Sequence, residues 1–286
     1  MTNNIVKMLA CLCFICGCRS TFSQYRVIQH GTIVLVFPQS ERLLVAADSR
    51  SILGASLGPD MCKIVPLGKR MLFFATGLTV VGDKKTGRII YSANDLAQKS
   101  FTKFGSMSDA VLRSKKMATY WGESVRKRIS DDEIIQPDFW KKANRQLVQG
   151  IFVSRSEKTS WFVLKVQVIP RPAESNRSPP VVTFSIIPVQ FISGQVMTSG
   201  DPHAVYLVEE FLSQQTARSI AANQEMLKII SSNPGIDKEM FTLKSIITVI
   251  EEWAGPDASI GGPSDILELT RNDIHWLEVK DECKHQ

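Results

Sequence analysis

The chain has 286 residues, 44% of them hydrophobic and 22% charged, with a formal net charge of +6. That length excludes a disulfide-stapled miniprotein and matches one large domain, or two small ones, with a sizeable core. Half of the positive excess (Lys7, Arg19 and Arg26) lies in the first 31 residues, which hold no acid, and no basic run exceeds Arg126-Lys127-Arg128; nucleic-acid binding is set aside on that ground.

Lys7 precedes an apolar run from Met8 to Gly17. The run is too short to span a bilayer and has the length of a signal-peptide core. Small residues stand one and three places before a cut after Ser23. Ile15-Cys16-Gly17-Cys18 also resembles a bacterial lipobox, with Cys18 as the lipidated residue and Cys16 where a small residue is usual. The expectation is export, to the periplasm, to the outside, or to a membrane through a lipid anchor at Cys18. The alternative is a cytoplasmic chain whose apolar N-terminal segment packs on the fold. Residues 1–23 are therefore treated apart from the body. Four of the six cysteines lie there; Cys62 and Cys283 leave room for one bridge in the body, not a disulfide framework.

The body opens with two predicted hairpins. Thr32 to Phe37 and Leu43 to Ala47 are apolar, β-branched runs around a Pro38–Glu41 turn, a pattern buried on both faces. Lys63 to Val65 and Met71 to Ala75 flank Pro66-Leu67-Gly68. Apolar residues at three- and four-residue spacing predict helices over Ala93–Phe104 and Ser108–Ile129, with a short helix between Asp131 and Val148 broken by Pro137. Strands follow at Gly150–Val153, Trp161–Val166, Val181–Ile187 and Phe191–Met197. Residues 170–180 read as a polar, Pro-rich insertion loop. Asp201-Pro202 starts a helix to about Ser213, with Asp201 as N-cap. Helices over Ser219–Ser231 and Lys238–Trp253 come next. A hairpin of Ile266–Leu269 and His275–Val279 around Arg271-Asn272-Asp273 closes the chain. The order of strands, helices, strands, helices, strands predicts an α+β fold in layers, with a helix block on each outer face of two stacked sheets.

Standard motifs are absent: no phosphate-binding Gly-rich loop with Lys-Ser/Thr, no His-Glu-x-x-His, no Gly-x-Ser-x-Gly elbow. His30, His203, His275 and His285 have no partner at ligand spacing, so neither a metal site, a cofactor nor a Ser-His triad is expected. What remains is Gly31-Thr32 opening a buried strand, Ala46-Ala47-Asp48-Ser49-Arg50 ending the next, then Lys63, then Gly77. This arrangement resembles the proteasome β-type subunits of the N-terminal-nucleophile (Ntn) hydrolases. Those chains have a Gly-Thr processing point, an Ala-Asp-Ser-Arg end to the second strand, a Lys opening the third and a Gly ending the fourth. Lys63 falls one residue short of the family spacing. Asp257-Ala258-Ser259-Ile260-Gly261-Gly262 resembles the family's Asp-Ala-x-Ser-Gly-Gly segment, with Ile260 where the last Ser stands and Ser259 one place early. Ser199-Gly200 resembles its Ser-Gly turn. The likeness runs from Thr32 to Val279, with middle stretches that match in element order alone.

The resemblance implies a four-layer αββα sandwich of mainly antiparallel sheets, with residues 24–31 as a propeptide-like segment and 32–286 as a single domain. It implies a threonine-type hydrolase of peptide or amide bonds, a ring-like homo-oligomer, and a candidate catalytic set of Thr32, Asp48, Lys63, Gly77, Ser199 and Asp257. The chemistry suits these residue types. A Thr hydroxyl is a poor nucleophile unless a base takes its proton. A free α-amine, with an ordinary pKa near 8, can serve. A Lys ammonium nearby favours the neutral amine and the alkoxide, and Asp48 is the counter-charge that would hold it. An N–H at Gly77 would stabilise the oxyanion; Asp257 and Ser199 would orient the amine. Two other functions remain open: a non-catalytic subunit of the same fold, and an exported lipoprotein that uses the fold for binding. Taken singly, each site residue also has a structural role open to it: Thr32 as a strand opener, Asp48 paired to Arg50 in a surface turn, Lys63 reaching out from a strand end, Asp257 capping a turn.

Overall fold

The computed structural model describes residues 25–30, 33–50, 52–53, 56–57, 61–83, 88–131, 147–155, 161–171, 181–256, 258 and 260–284, and for 25–30, 52–53, 56–57, 83, 131, 171 and 282 it describes the backbone alone. The described residues form two antiparallel sheets and five α-helices.

The first predicted hairpin is present as β2 (Ile33–Pro38) and β3 (Arg42–Ala47). Alternate residues of β2 serve two different clusters. Val34 and Val36 face one way, Ile33 and Leu35 the other, and all four are fully buried. That is the two-residue period of a strand covered on both faces. The smaller sheet continues through β13 (Asp265–Thr270), β14 (Ile274–Glu278) and β12 (Met197–Gly200), in the order β12-β2-β3-β13-β14. The expected strand at Phe191–Met197 is displaced: pairing with β2 begins only at Met197. The preceding residues turn, with Gln195 N donating to the Ile192 carbonyl and Gly194 N donating to that of Pro38.

The larger sheet is organised by β7 (Met71–Asp83), which runs eight residues beyond its predicted end at Ala75. Its first half lies between β6 (Ile64–Pro66) and β9 (Val148–Arg155), and its second half between β8 (Ile89–Ser92) and β1 (Tyr25–His30). The sheet extends on one side through β10 (Trp161–Arg171) and β11 (Val181–Val189) and on the other through β4 (Ile52–Leu53) and β5 (Ser56–Leu57). β10 runs past Pro170, which pairs with Val182, while its pairing with β9 stops at Val168. Residues 170 and 171 are therefore strand rather than loop. The rest of the predicted loop, 172–180, and the helix predicted within 131–148, at 132–146, lie outside the described residues.

The helices match their signals closely. α1 (Ala93–Phe104) is capped by Ser92, and α3 (Pro202–Ser213) by Asp201, whose carboxylate accepts from His203 N and Ala204 N. α2 spans Ala110–Asp131, α4 Ala217–Ser232 behind a Thr216–Ser219 capping box, and α5 Lys238–Ala254 behind Asp237. Three clusters form the core. One joins the larger sheet with α1 and α2 around Trp121, Phe73 and Phe152. One takes residues from both sheets, including Val34, Val45, Phe74, Ile151 and Leu267. One joins β2, β3 and β13 with α3 and α5 through Phe211, Leu243 and Ile246. A disulfide links Cys62 to Cys283, 221 residues apart in sequence. No described helix is long and apolar enough to cross a membrane.

Candidate active site

The end of β3 carries the site's charge. Ala46 and Ala47 are fully buried in the sheet, so the next residue, Asp48, enters the interior as well. Its Oδ1 accepts two hydrogen bonds, from Ile33 N at 2.8 Å and from Lys63 Nζ at 2.7 Å. Its Oδ2 accepts from Gly261 N at 3.0 Å. The Asp48 and Lys63 side chains are 0% and 1% exposed. Burial pushes the Asp48 carboxyl above the ordinary carboxylate range, and the Lys63 ammonium and the two N–H donors pull against that shift. A buried pair of this kind persists only with its remaining lone pairs satisfied. Asp48 meets that condition with donors from three separate segments.

Sharing one oxygen has a geometric consequence. Ile33 N is peptide-bonded to Thr32, so the Lys63 ammonium lies no farther from that nitrogen than two hydrogen bonds laid end to end. Thr32 itself, with Gly31, lies outside the described residues, as do Asp257 and Ser259. Among the expected site residues, the structure thus brings Asp48 and Lys63 together directly. Asp48 is not paired with Arg50, whose guanidinium instead bonds Glu251 and the carbonyls of Pro256, Ala258 and Ile260 at 3.2, 3.4, 3.3 and 2.8 Å. Arg50 thereby holds the chain on both sides of position 257. Backbone bonds from Ser49 N and Arg50 N to the Gly261 carbonyl complete the contact. Gly261 has a φ of +133°, which a residue with a Cβ rarely adopts, and a Cβ there would also run into the Glu251 carboxylate and the Arg50 guanidinium, so this turn needs glycine.

Gly77 does not end its strand. It sits in the middle of β7, where the partners on both sides change, and pairs with His30 of β1 and Val148 of β9. Its φ of +88° is left-handed, and a Cβ there would run into the Leu147 carbonyl oxygen. Ser199 is buried on β12 opposite Val34, and Gly200 is opposite Ile33. The Ser199 Oγ accepts from Gln149 Nε2 at 2.5 Å. Gln149 pairs with Thr76 on β7, so this bond ties the two sheets one strand residue from Gly77.

Gln149, Arg50 and Gly261 were not singled out in the sequence for these roles. Gln149 is the most legible of them: it is the one side-chain amide in the run from Leu147 to Val153, and a polar residue inside a buried strand needs a partner. Arg50 and Gly261 stand in the two segments that carry the resemblance, but nothing local says that they meet each other. Among the described residues no three His, Cys, Asp or Glu side chains converge as a metal would require. No protein-family model matches the chain, and no curated protein matches it significantly.

Proposed function

We propose that the chain is a four-layer αββα sandwich of the proteasome β-type and an N-terminal threonine hydrolase that processes itself between Gly31 and Thr32. The layer order is supported by the three clusters, one between the sheets and one between each sheet and its own helices. The observation that carries the reading is the shared acceptor: a single Asp48 oxygen binds both the Lys63 ammonium and the backbone N–H that follows Thr32.

In the proposed reaction the Thr32 hydroxyl oxygen attacks the Gly31 carbonyl carbon and gives up its proton. The Gly31–Thr32 C–N bond breaks, its nitrogen takes up that proton, and an ester with a free Thr32 amine remains. Water then hydrolyses the ester, freeing the Gly31 carboxylate and returning the Thr32 hydroxyl. Gly31 lacks a side chain that would obstruct the approach. The Lys63 charge favours the alkoxide and, once the amine is free, its neutral form. An N–H near Gly77 would meet the developing oxyanion, a contribution of about 3 kcal/mol in other hydrolases. Strand β1 supports this arrangement: it ends at His30, paired with Gly77, and lies antiparallel to both β7 and β4. Residues 25–30 thus lie as an extended strand between β7 and β4, the slot a peptide substrate would take once they depart. The mature enzyme would cleave peptide or amide bonds, in a ring-like homo-oligomer by analogy with the family.

Export is proposed on two grounds: the basic, apolar start of the chain, and the Cys62–Cys283 disulfide, a bond typical of oxidising compartments. One observation favours a second reading, a non-catalytic subunit: β1 is paired along both of its edges, as a retained extension would be. N-terminal sequencing and mass spectrometry of the purified protein, beside Thr32→Ala, separate the two. The hydrolase reading expects a mature chain beginning at Thr32, and an uncut chain in the variant. A wild-type chain that still begins upstream of Thr32 overturns it and leaves the subunit reading.

A further inference from the structure

Residues Met61, Cys62 and Lys63 precede β6 and have no strand pairing of their own, yet Lys63 must be placed to within a hydrogen bond. The C-terminal segment supplies much of what holds them. Lys280 Nζ donates to the Met61 carbonyl at 2.9 Å. The same nitrogen pairs with Asp265 Oδ2 at 3.0 Å, in a second ion pair whose side chains are 8% and 0% exposed. Lys280 N donates to Asp265 Oδ1 at 3.1 Å. Three residues on, Cys283 is bonded to Cys62, the residue before Lys63. Asp265 in turn pairs with Ala47, the residue before Asp48. The two carboxylates therefore stand on one frame, the β3–β13 pair, and the two ammonium groups on segments covalently joined by the disulfide. Two buried charges cost more to hold than an apolar contact that would tie down a chain end. What the pair adds is a fixed register, because Lys280 grips a carboxylate and a carbonyl at once.

We infer that Lys280, Asp265 and the Cys62–Cys283 bridge act as positioning residues that set the Lys63 ammonium on Asp48. The inference rests on the hydrolase reading for its consequence in catalysis, but the placement of Lys63 is measurable without it.

The test uses the full chain in five forms: wild type, Lys280→Met, Lys280→Arg, the double variant Cys62→Ser with Cys283→Ser, and Ile246→Val. The last weakens a cluster that does not include residues 61–63. The first readout is the ammonium NMR signal of Lys63 in protein labelled with 15N-lysine, assigned by its disappearance in Lys63→Met. Buried and hydrogen-bonded, that group exchanges slowly with water. The signal is expected to be lost in Lys280→Met and in the double variant, kept in Ile246→Val, and recovered in Lys280→Arg, which retains a charge for Asp265 and a donor for Met61. The second readout is the rate of cleavage at Gly31–Thr32, expected to fall about 100-fold, the scale of an ångström of misplacement. Should Lys280→Met not fold, Lys280→Met with Asp265→Leu, which leaves no buried charge unpaired, takes its place. An unchanged Lys63 signal in either folded variant overturns the inference, as does equal loss in Ile246→Val. A wild type that never cleaves itself overturns the hydrolase reading alone, and the Lys63 signal still decides the positioning role.

Discussion

Lys63 and Asp48 form an ion pair of 2.7 Å from which solvent is excluded on both sides. Its stability and its chemistry are separable. Asp48→Asn leaves the ammonium buried without its counter-charge, and such a loss costs about 3–5 kcal/mol. Replacing both partners, Asp48→Asn with Lys63→Met, removes both charges while keeping a side-chain oxygen for a buried backbone N–H, and is expected to regain part of that stability. Cleavage at Gly31–Thr32 is expected in neither variant. Urea unfolding and intact-mass measurement read the two effects, and a double variant that still cleaves itself would sink the role given to Lys63.

Gly77→Ala tests the left-handed residue in the middle of β7. A residue with a Cβ at φ +88° is strained and also meets the Leu147 carbonyl. The expected cost is about 1–3 kcal/mol from the backbone alone. Hydrogen exchange should show the loss concentrated in β1, β7 and the start of β9, whose pairings meet at this residue. Uniform loss across both sheets would contradict the local account.

Ser199 and Gln149 form a bond between the sheets, and a double-mutant cycle measures it. Ser199→Ala leaves the Gln149 amide without its acceptor, at about 1–3 kcal/mol. Ser199→Ala with Gln149→Leu removes both polar groups and is expected to be much less costly than the first change alone. Additive effects would mean that the two side chains do not interact.

Asp237 caps α5 and is held by Arg42, which also bonds Glu239 and Glu268. The Arg42 hydrogen bond pulls the Asp237 carboxyl below its ordinary range. A carboxyl with a depressed folded-state pKa stabilises the fold above its unfolded value, near 3.9, and loses that contribution as pH falls through the lower folded value. The difference in urea midpoint between wild type and Asp237→Asn should thus be constant above about pH 5 and shrink below pH 4. A gap that widens on acidification would reverse the sign and refute the assignment.

Much of this was legible before any coordinates. The β2–β3 hairpin, the span of α1 and the Asp201 cap of α3 follow from patterns within a few residues, and the structure places all three where those patterns put them. The Asp48–Lys63 pair was legible too, because a Lys near a buried strand end needs a counter-charge and Asp48 was the obvious one. β1 was not. Tyr25–His30 alternates weakly, and its partners are β7, about fifty residues later, and β4. The second half of β7 has no local signal of its own because its pairing depends on those same neighbours.

The sequence by itself determined the local elements and the charge pair, since helix caps, turn residues and two-residue alternation act between neighbours along the chain. Only the tertiary structure decided that Gly77 lies inside a strand, that Arg50 turns away from Asp48 to grip the loop around position 257, that Gln149 meets Ser199, and that Cys283 returns to Cys62. Each of these joins segments about fifty residues or more apart, or, for Gly77, depends on such a join. Contacts of that kind arise when distant chain segments are buried against one another, which no local pattern encodes.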